Sequence, residues 1–284
     1  MPFHLLIPCF STDFDNWFAL NRPMRTSMHD NLAQLLWQAR IDGTVIDATA
    51  VQIADQGTAY EIQHAVSEIA ESEIVGFKIG ATTQAAIDAL GLSESMQGPL
   101  FERFCHSSGD EVPTSSQHKV LLETEVAIGL GQALPARDAA YQESDVRAAV
   151  AWIAPGFELV ATRFNIELAG HGNFLIADGG VNMDFVLGEK ITDWNHIDLS
   201  QNPATLTING QETASGHSGM TLFGNPLATV AWLANHFSLK TRGLRAGDVI
   251  TTGTCTGMTP VVANDEAQAD LGLLGKISMK LIES

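Results

Sequence analysis

Long apolar runs are missing from this 284-residue sequence. No stretch reaches the roughly 18 uninterrupted apolar residues of a membrane-spanning helix, so no membrane partner is expected. Basic residues are scarce: 15 Lys plus Arg stand against 33 Asp plus Glu, a formal charge of -18 with no basic run. Nucleic acid and anionic membrane surfaces are therefore not expected partners. Cysteine is limited to Cys9, Cys105 and Cys255, an odd set without Cys-x-x-Cys spacing. Neither a disulfide framework nor a thiolate zinc site is suggested, and a reducing, cytoplasmic setting fits. The nine histidines include no His-x-x-x-His pair, which removes the usual helical zinc arrangement. Gly129-Leu130-Gly131 and Gly170-His171-Gly172 lack the third glycine of a dinucleotide fingerprint, and no Gly-Lys-Ser or Gly-Lys-Thr phosphate loop exists. Gly216-His217-Ser218-Gly219-Met220 falls short of a nucleophile elbow because Met220 replaces the last glycine and no helix is evident before Asn225. His217 and His106 are left as minor candidates for carrying protons.

With 45% hydrophobic and 17% charged residues, the chain has ordinary globular composition, enough for one large domain or two unequal ones. The apolar piece from His4 to Phe10 has no basic lead and is followed by Asp13 and Asp15, unlike a secretory signal. Residues 1–27 read as a poorly specified extension. Met28 is a candidate natural start, because Leu32, Leu35, Leu36 and Ala39 follow at the spacing of one helix face.

A smaller helical and mixed region is expected over 28–118, and a β-rich region over 119–284. Thr58 with Glu61 predicts a capping box for a helix running through Ile62, Val66 and Ile69. Ile74 to Ile79 reads as a strand ending at Gly80, and Thr83 to Leu90 as a helix stopped by Gly91. Phe101 to Ser116 is polar and aperiodic, and reads as a mobile loop. Further on, Ser144 opens a helix that Pro155 stops, and Asn225 with Pro226 opens another. Asn209-Gly210 signals a two-residue hairpin. Strands are expected at 248–252 and 277–282.

The chemistry-bearing pattern is Leu121-Leu122-Glu123-Thr124-Glu125-Val126-Ala127. Alternation sends Glu123 and Glu125 to one face of a strand, about 7 Å apart by the rise per residue. A hard divalent cation would remove their repulsion, and oxygen-only ligation suits magnesium or manganese. A solvent-facing polar strand face is the plain alternative. Glu158 lies within Pro155-Gly156-Phe157-Glu158-Leu159-Val160, where burial without a partner would be costly; it is either partnered or at the surface. Lys78, in Gly76-Phe77-Lys78-Ile79-Gly80, is a single cation in an apolar strand between glycines that allow close backbone approach. It suits a substrate carboxylate or enolate, or simply reaches solvent.

Over roughly residues 29–284 the chain resembles the hydratase and decarboxylase branch of the fumarylacetoacetate hydrolase superfamily. The resemblance rests on Gly76-Phe77-Lys78-Ile79-Gly80, Gly98-Pro99-Leu100, Glu123-Thr124-Glu125, Phe157-Glu158-Leu159-Val160, Ala177-Asp178, Gly224-Asn225-Pro226-Leu227 and Leu244-Arg245-Ala246-Gly247-Asp248, in that order. It implies a mixed α/β fold, with a β-roll or barrel-like β-rich core, peripheral helices and a small helical N-terminal part. It also implies that Glu123, Glu125 and Glu158 bind Mg2+ or Mn2+, that Lys78 is catalytic, and that Gly98, Pro99, Leu100 and Thr254 line the substrate pocket. Gly179-Gly180-Val181-Asn182 departs from relatives, which have Asn after the Ala-Asp pair, so that part of the pocket wall is expected to differ.

The activity implied is metal-dependent hydration of a 2-hydroxy-2,4-dienoate to a 4-hydroxy-2-oxo acid in aromatic-compound catabolism. A 4-oxalocrotonate-type decarboxylase is the near alternative, followed by an acylpyruvate-type hydrolase using His106 with Glu102 or Glu111, and by a non-catalytic partner subunit. A small 2-oxo acid substrate and a homo-oligomer, with a pathway partner as a further option, complete the expectation.

Overall fold

The computed structural model describes residues 27–284. Except for Ser27, the N-terminal extension lies outside the described residues. Six α-helices and two sheets make up the described chain. The helices are α1 (Ser27–Asp42), α2 (Gln56–Ile69), α3 (Gln84–Leu90), α4 (Glu143–Ala149), α5 (Gly172–Ala177) and α6 (Pro226–Asn235). The strands are β1 (Ile74–Gly80), β2 (Met96–Phe101), β3 (Cys105–Ser107), β4 (Glu111–Thr114), β5 (Leu121–Leu130), β6 (Val150–Val160) and β7 (Asn182–Leu187). They continue with β8 (Pro203–Ile208), β9 (Gln211–His217), β10 (Val249–Thr254), β11 (Thr259–Pro260), β12 (Glu266–Asp270) and β13 (Lys276–Glu283).

The larger sheet runs β2-β1-β10-β5-β6-β7-β3, with β11 also paired to β5, and curls into a half-barrel. The smaller sheet runs β4-β13-β12-β8-β9. This is the mixed, barrel-like core that the resemblance implies. Strands from the first 118 residues enter both sheets, because β1 pairs with β10 and β4 with β13. Leu122, Thr124 and Val126 on β5 are buried on its core face, leaving Glu123 and Glu125 for the other face, as strand alternation requires.

Three local expectations are corrected. The segment from Phe101 to Ser116 is not a loop throughout, because it supplies β3 to one sheet and β4 to the other. Short strands at sheet edges draw their order from partners far along the chain, which a local pattern cannot reveal. Pro155 does not stop a helix. Nor does Ser144 open one: the α4 helix is capped by Gln142, whose amide donates to Asp145 at 2.9 Å, and ends at Ala149, while Pro155 lies inside β6 where β7 has ended, with Gly188 donating to its carbonyl. The missing amide of proline is tolerated at such a place.

The cap of α2 is also different. Asp55 accepts the Thr58 amide at 2.8 Å, one turn ahead of the expected Thr58–Glu61 box. Asp55→Ala is therefore expected to destabilise the protein by about 1 kcal/mol, and Glu61→Ala by less than about 0.5 kcal/mol. Denaturant midpoints would measure both, and equal shifts would contradict this assignment. The other helix and hairpin signals agree: Thr83 and Asn225 cap α3 and α6, Gly91 ends α3 at φ 71, and Asn209-Gly210 turns β8 into β9.

Candidate active site

Glu123 and Glu158 are directly opposed on β5 and β6, and Glu125 is opposed to Gly156 two places along. One carboxylate oxygen from each of the three comes within 4.8 Å of the others. Like charges placed opposite one another on neighbouring strands destabilise a sheet unless something compensates. One compensation is Lys78 on β1, whose Nζ stands 3.2 Å from Glu158 Oε1 and whose side chain is 2% exposed. Asn182 Nδ2 donates to the same oxygen at 3.0 Å, and the Gly253 amide donates to Glu125 Oε2 at 2.8 Å.

Glycines make room for this arrangement. A Cβ on Gly76 would collide with the Val249 backbone, one on Gly80 would lie 2.9 Å from Lys78 Nζ, and one on Gly180 3.0 Å from Lys78 Cδ. Gly180 thus lets the lysine stem pass, and both Gly179 and Gly180 adopt φ 65. On β10 the register shifts between Thr251 and Thr254. Gly253 there adopts φ 95, which is open mainly to glycine.

The charges follow from burial. Removal from water pushes the Glu123 carboxyl up to about 7, with Lys78 opposing and Glu158 adding to the rise. Burial and the neighbouring Glu158 and Glu123 raise Glu125 well above its ordinary value. For Lys78, burial disfavours the ammonium, but Glu158, Glu123 and Glu125 outweigh it and raise its pKa. A single lysine cannot balance three carboxylates, and Glu125 Oε1 and Glu158 Oε2 are buried without a hydrogen-bond partner. Buried oxygens of this kind call for a cation or a proton. An all-carboxylate donor set fits a hard divalent ion such as Mg2+ or Mn2+.

Behind the carboxylates lies a support that sequence reading missed. From α1, Arg40 Nη2 donates to Asn182 Oδ1 at 3.0 Å and Nη1 to the Asn182 carbonyl at 2.9 Å. The Asn182 amide is thereby turned so that its NH2 faces Glu158. Arg163 also donates to the Asn182 carbonyl, at 2.7 Å, and is itself held by Asp178 at 2.6 Å. The Arg40–Asn182 contact spans 142 residues of sequence, so no local signal marked it.

Lys78, Glu123 and Thr254 line one cavity of about 240 Å3, which brings together three of the residues expected at the site. Gly98, Pro99 and Leu100 do not line it. Gly98 packs against the Gly179 carbonyl, Pro99 borders a separate hollow near Tyr60, and Leu100 faces another beside Phe185. From β2 it is Met96 that lines the cavity. His106 lies with Glu102 in the hollow beside Phe185, away from the carboxylate cavity, and bonds Asp184 at 2.8 Å, while Glu111 faces Lys280 at 3.7 Å. The lid pair of an acylpyruvate hydrolase is therefore not assembled over the cavity. His217 is tied to the Ser200 carbonyl and the Gly219 amide.

Comparison with known proteins places these features in a family. Residues 102–282 match the C-terminal domain of fumarylacetoacetate (FAA) hydrolase. The chain is 29% identical over 262 residues to a 2-keto-4-pentenoate hydratase of Paraburkholderia xenovorans, covering 89% of this chain and 95% of that protein. It is 28% identical to a 2-hydroxyhexa-2,4-dienoate hydratase of Comamonas testosteroni, covering 76% and 81%. Among solved structures, the 4-oxalocrotonate decarboxylase of Pseudomonas putida G7, complexed with magnesium and adipate, superposes with a TM-score of 0.80. That match has 24% identity and covers 92% of this chain and all of that one.

Proposed function

Because the chain belongs to the fumarylacetoacetate hydrolase family, we propose that it is a divalent-metal-dependent hydratase of a 2-hydroxy-2,4-dienoate. The product is a 4-hydroxy-2-oxo acid: C5 and C3 each gain a proton, C4 gains the hydroxyl of water, and the enol oxygen gives up its proton to become the ketone, a net addition of one water. The observation that carries this reading is the cluster of Glu123, Glu125 and Glu158 beside the buried Lys78, of which Glu123 and Lys78 line a cavity. Relatives with hydratase names support it over most of the chain. In this reading Glu123, Glu125 and Glu158 hold Mg2+ or Mn2+, which when bound supplies Lewis-acid stabilisation of charge on the 2-oxygen.

The protein's own residues do the rest. Lys78 is kept charged by the carboxylates around it and serves as a fixed cation for the C1 carboxylate or the 2-oxygen. Its nearest partner, Glu158, is in turn held by Asn182 and, through it, by Arg40 and Arg163. Thr254 stands at the cavity wall, where its hydroxyl donates to the Gly257 carbonyl and fixes that turn. Apolar side chains around the cavity keep bulk water from the developing charge, which strengthens each electrostatic contact.

Turnover of 2-hydroxypenta-2,4-dienoate, followed in the ultraviolet with and without Mg2+ or Mn2+, tests the reading. Metal-dependent loss of the dienol with a 4-hydroxy-2-oxo acid as product is the expected result. Carbon dioxide release from 4-oxalocrotonate without hydration would favour the decarboxylase instead.

A second expectation concerns pH. In the metal-free protein the raised carboxyls of Glu123 and Glu125 keep protons that the unfolded chain releases near 4.5. That contribution to stability is full below the unfolded value and is lost as pH rises through about 7 for Glu123. A bound divalent ion reverses the trend by replacing the protons. Added Mn2+ is therefore expected to raise the thermal midpoint more at about pH 8 than at about pH 5. Equal shifts at both pH values would contradict the proposed ligand set.

The described residues contain no helix long and apolar enough to cross a membrane. We take the enzyme to act in the cytoplasm as a homo-oligomer, a reading supported by the free thiols of Cys105 and Cys255. It is supported also by the apolar group of Val75, Trp152, Leu187 and Val249, only partly buried in the single chain. Light scattering of the purified protein would measure the assembly.

A further inference from the structure

The cavity lining combines a small charged part with a large apolar one. Only Lys78 and Glu123 among its lining residues carry charge, and both stand at the carboxylate cluster. The rest of the wall is largely apolar, with Leu90, Leu168, Leu175 and Val181 among it, and the polar exceptions in the lining are threonines. Lys78 is 2% exposed at the side chain, whereas Met220 and Met258 are 41% and 52% exposed. Within the lining, the lysine is thus enclosed, Glu123 is half-buried, and two flexible thioethers are the exposed part.

From this polarity we infer that the enzyme selects 2-oxo or 2-hydroxydienoic monoacids with an apolar tail, and that Met220 and Met258 are specificity-determining residues that cover the tail. The inference rests on the proposed orientation of the substrate, with its C1 carboxylate and 2-oxygen at the Lys78 end. A distal carboxylate would then meet leucine, valine and methionine with no lining cation to pair it, at a considerable desolvation cost. The -18 net charge of the chain adds repulsion. A tail of a few methylenes instead gains from burial, about fourfold in affinity for each one fully covered. Methionine suits this role because its unbranched, polarisable side chain adapts to tails of different shape.

Calorimetric titration of the Mn2+-loaded protein tests the inference without turnover, using three saturated acids: 2-oxobutanoate, 2-oxooctanoate and 2-oxoadipate. The expected order has 2-oxooctanoate binding at least about tenfold more tightly than either of the others. Met258→Arg, a change at an exposed position, is expected to shift the ratio towards 2-oxoadipate by about tenfold or more. Binding of 2-oxoadipate as tight as that of 2-oxooctanoate in the unmodified protein would overturn the inference, as would an unmoved ratio in the variant. None of these acids has a diene, so the two failures are distinguishable. Absence of dienol hydration with the apolar preference intact strikes the hydratase reading and leaves the pocket assignment standing.

Discussion

A Glu123→Ala, Glu125→Ala variant is expected to lose at least about 1,000-fold in kcat/KM on 2-hydroxypenta-2,4-dienoate, and to stop responding to Mn2+. The size follows from the role proposed for the cluster, because preorganised charge stabilisation at a developing oxyanion is commonly worth two to three orders of magnitude or more. Stability should move the other way. Glu123 and Glu125 are buried carboxyls whose charged forms are disfavoured, and their removal leaves Glu158 paired with Lys78 and Asn182. In the presence of a chelator at neutral pH the thermal midpoint is therefore expected to be equal to or above that of the unmodified protein. Metal-stimulated turnover within about tenfold of normal would show that the cluster is not the metal site.

Lys78→Met is expected to reduce kcat/KM by roughly 100- to 10,000-fold, the range found for residues that stabilise charge or carry protons at a reacting centre. Methionine keeps much of the stem volume between Gly80 and Gly180 while removing the ammonium. The variant leaves three buried carboxyl groups without their cation, so destabilisation in the metal-free state should be large near neutral pH. Breaking a buried ion pair costs on the order of 3 to 5 kcal/mol, and less at acid pH, where the carboxyls take up protons. Arginine is not expected to restore activity. The lysine Nζ already stands 3.2 Å from Glu158 Oε1 on a side chain only 2% exposed, which leaves little space for a planar guanidinium. Turnover of Lys78→Met within a few fold of normal would remove Lys78 from the mechanism.

Much of the site is legible along the chain because its ligands sit in strong local patterns. Glu123 and Glu125 share a face because strand alternation leaves no choice once Leu122, Thr124 and Val126 are taken into the core. The close approaches at Gly76 and Gly80 follow from glycine spacing around Lys78, and the caps at Thr83 and Asn225 from residue types that accept backbone amides. Gly98-Pro99-Leu100 shows the limit of transfer by motif. The triplet is present, yet Gly98 packs against Gly179 and none of the three lines the cavity.

Tertiary structure alone decided the meeting of Glu158 with Glu123 across β5 and β6, and of Lys78 with Glu158 across 80 residues of sequence. It also decided the hold of Arg40 on Asn182, the wall of leucines and methionines, and the assignment of β3 and β4 to different sheets. The division has one physical cause. Alternation, capping and glycine geometry are properties of neighbouring residues and survive in any fold, whereas strand register, burial and the pairing of distant charges arise only when separate segments exclude water together.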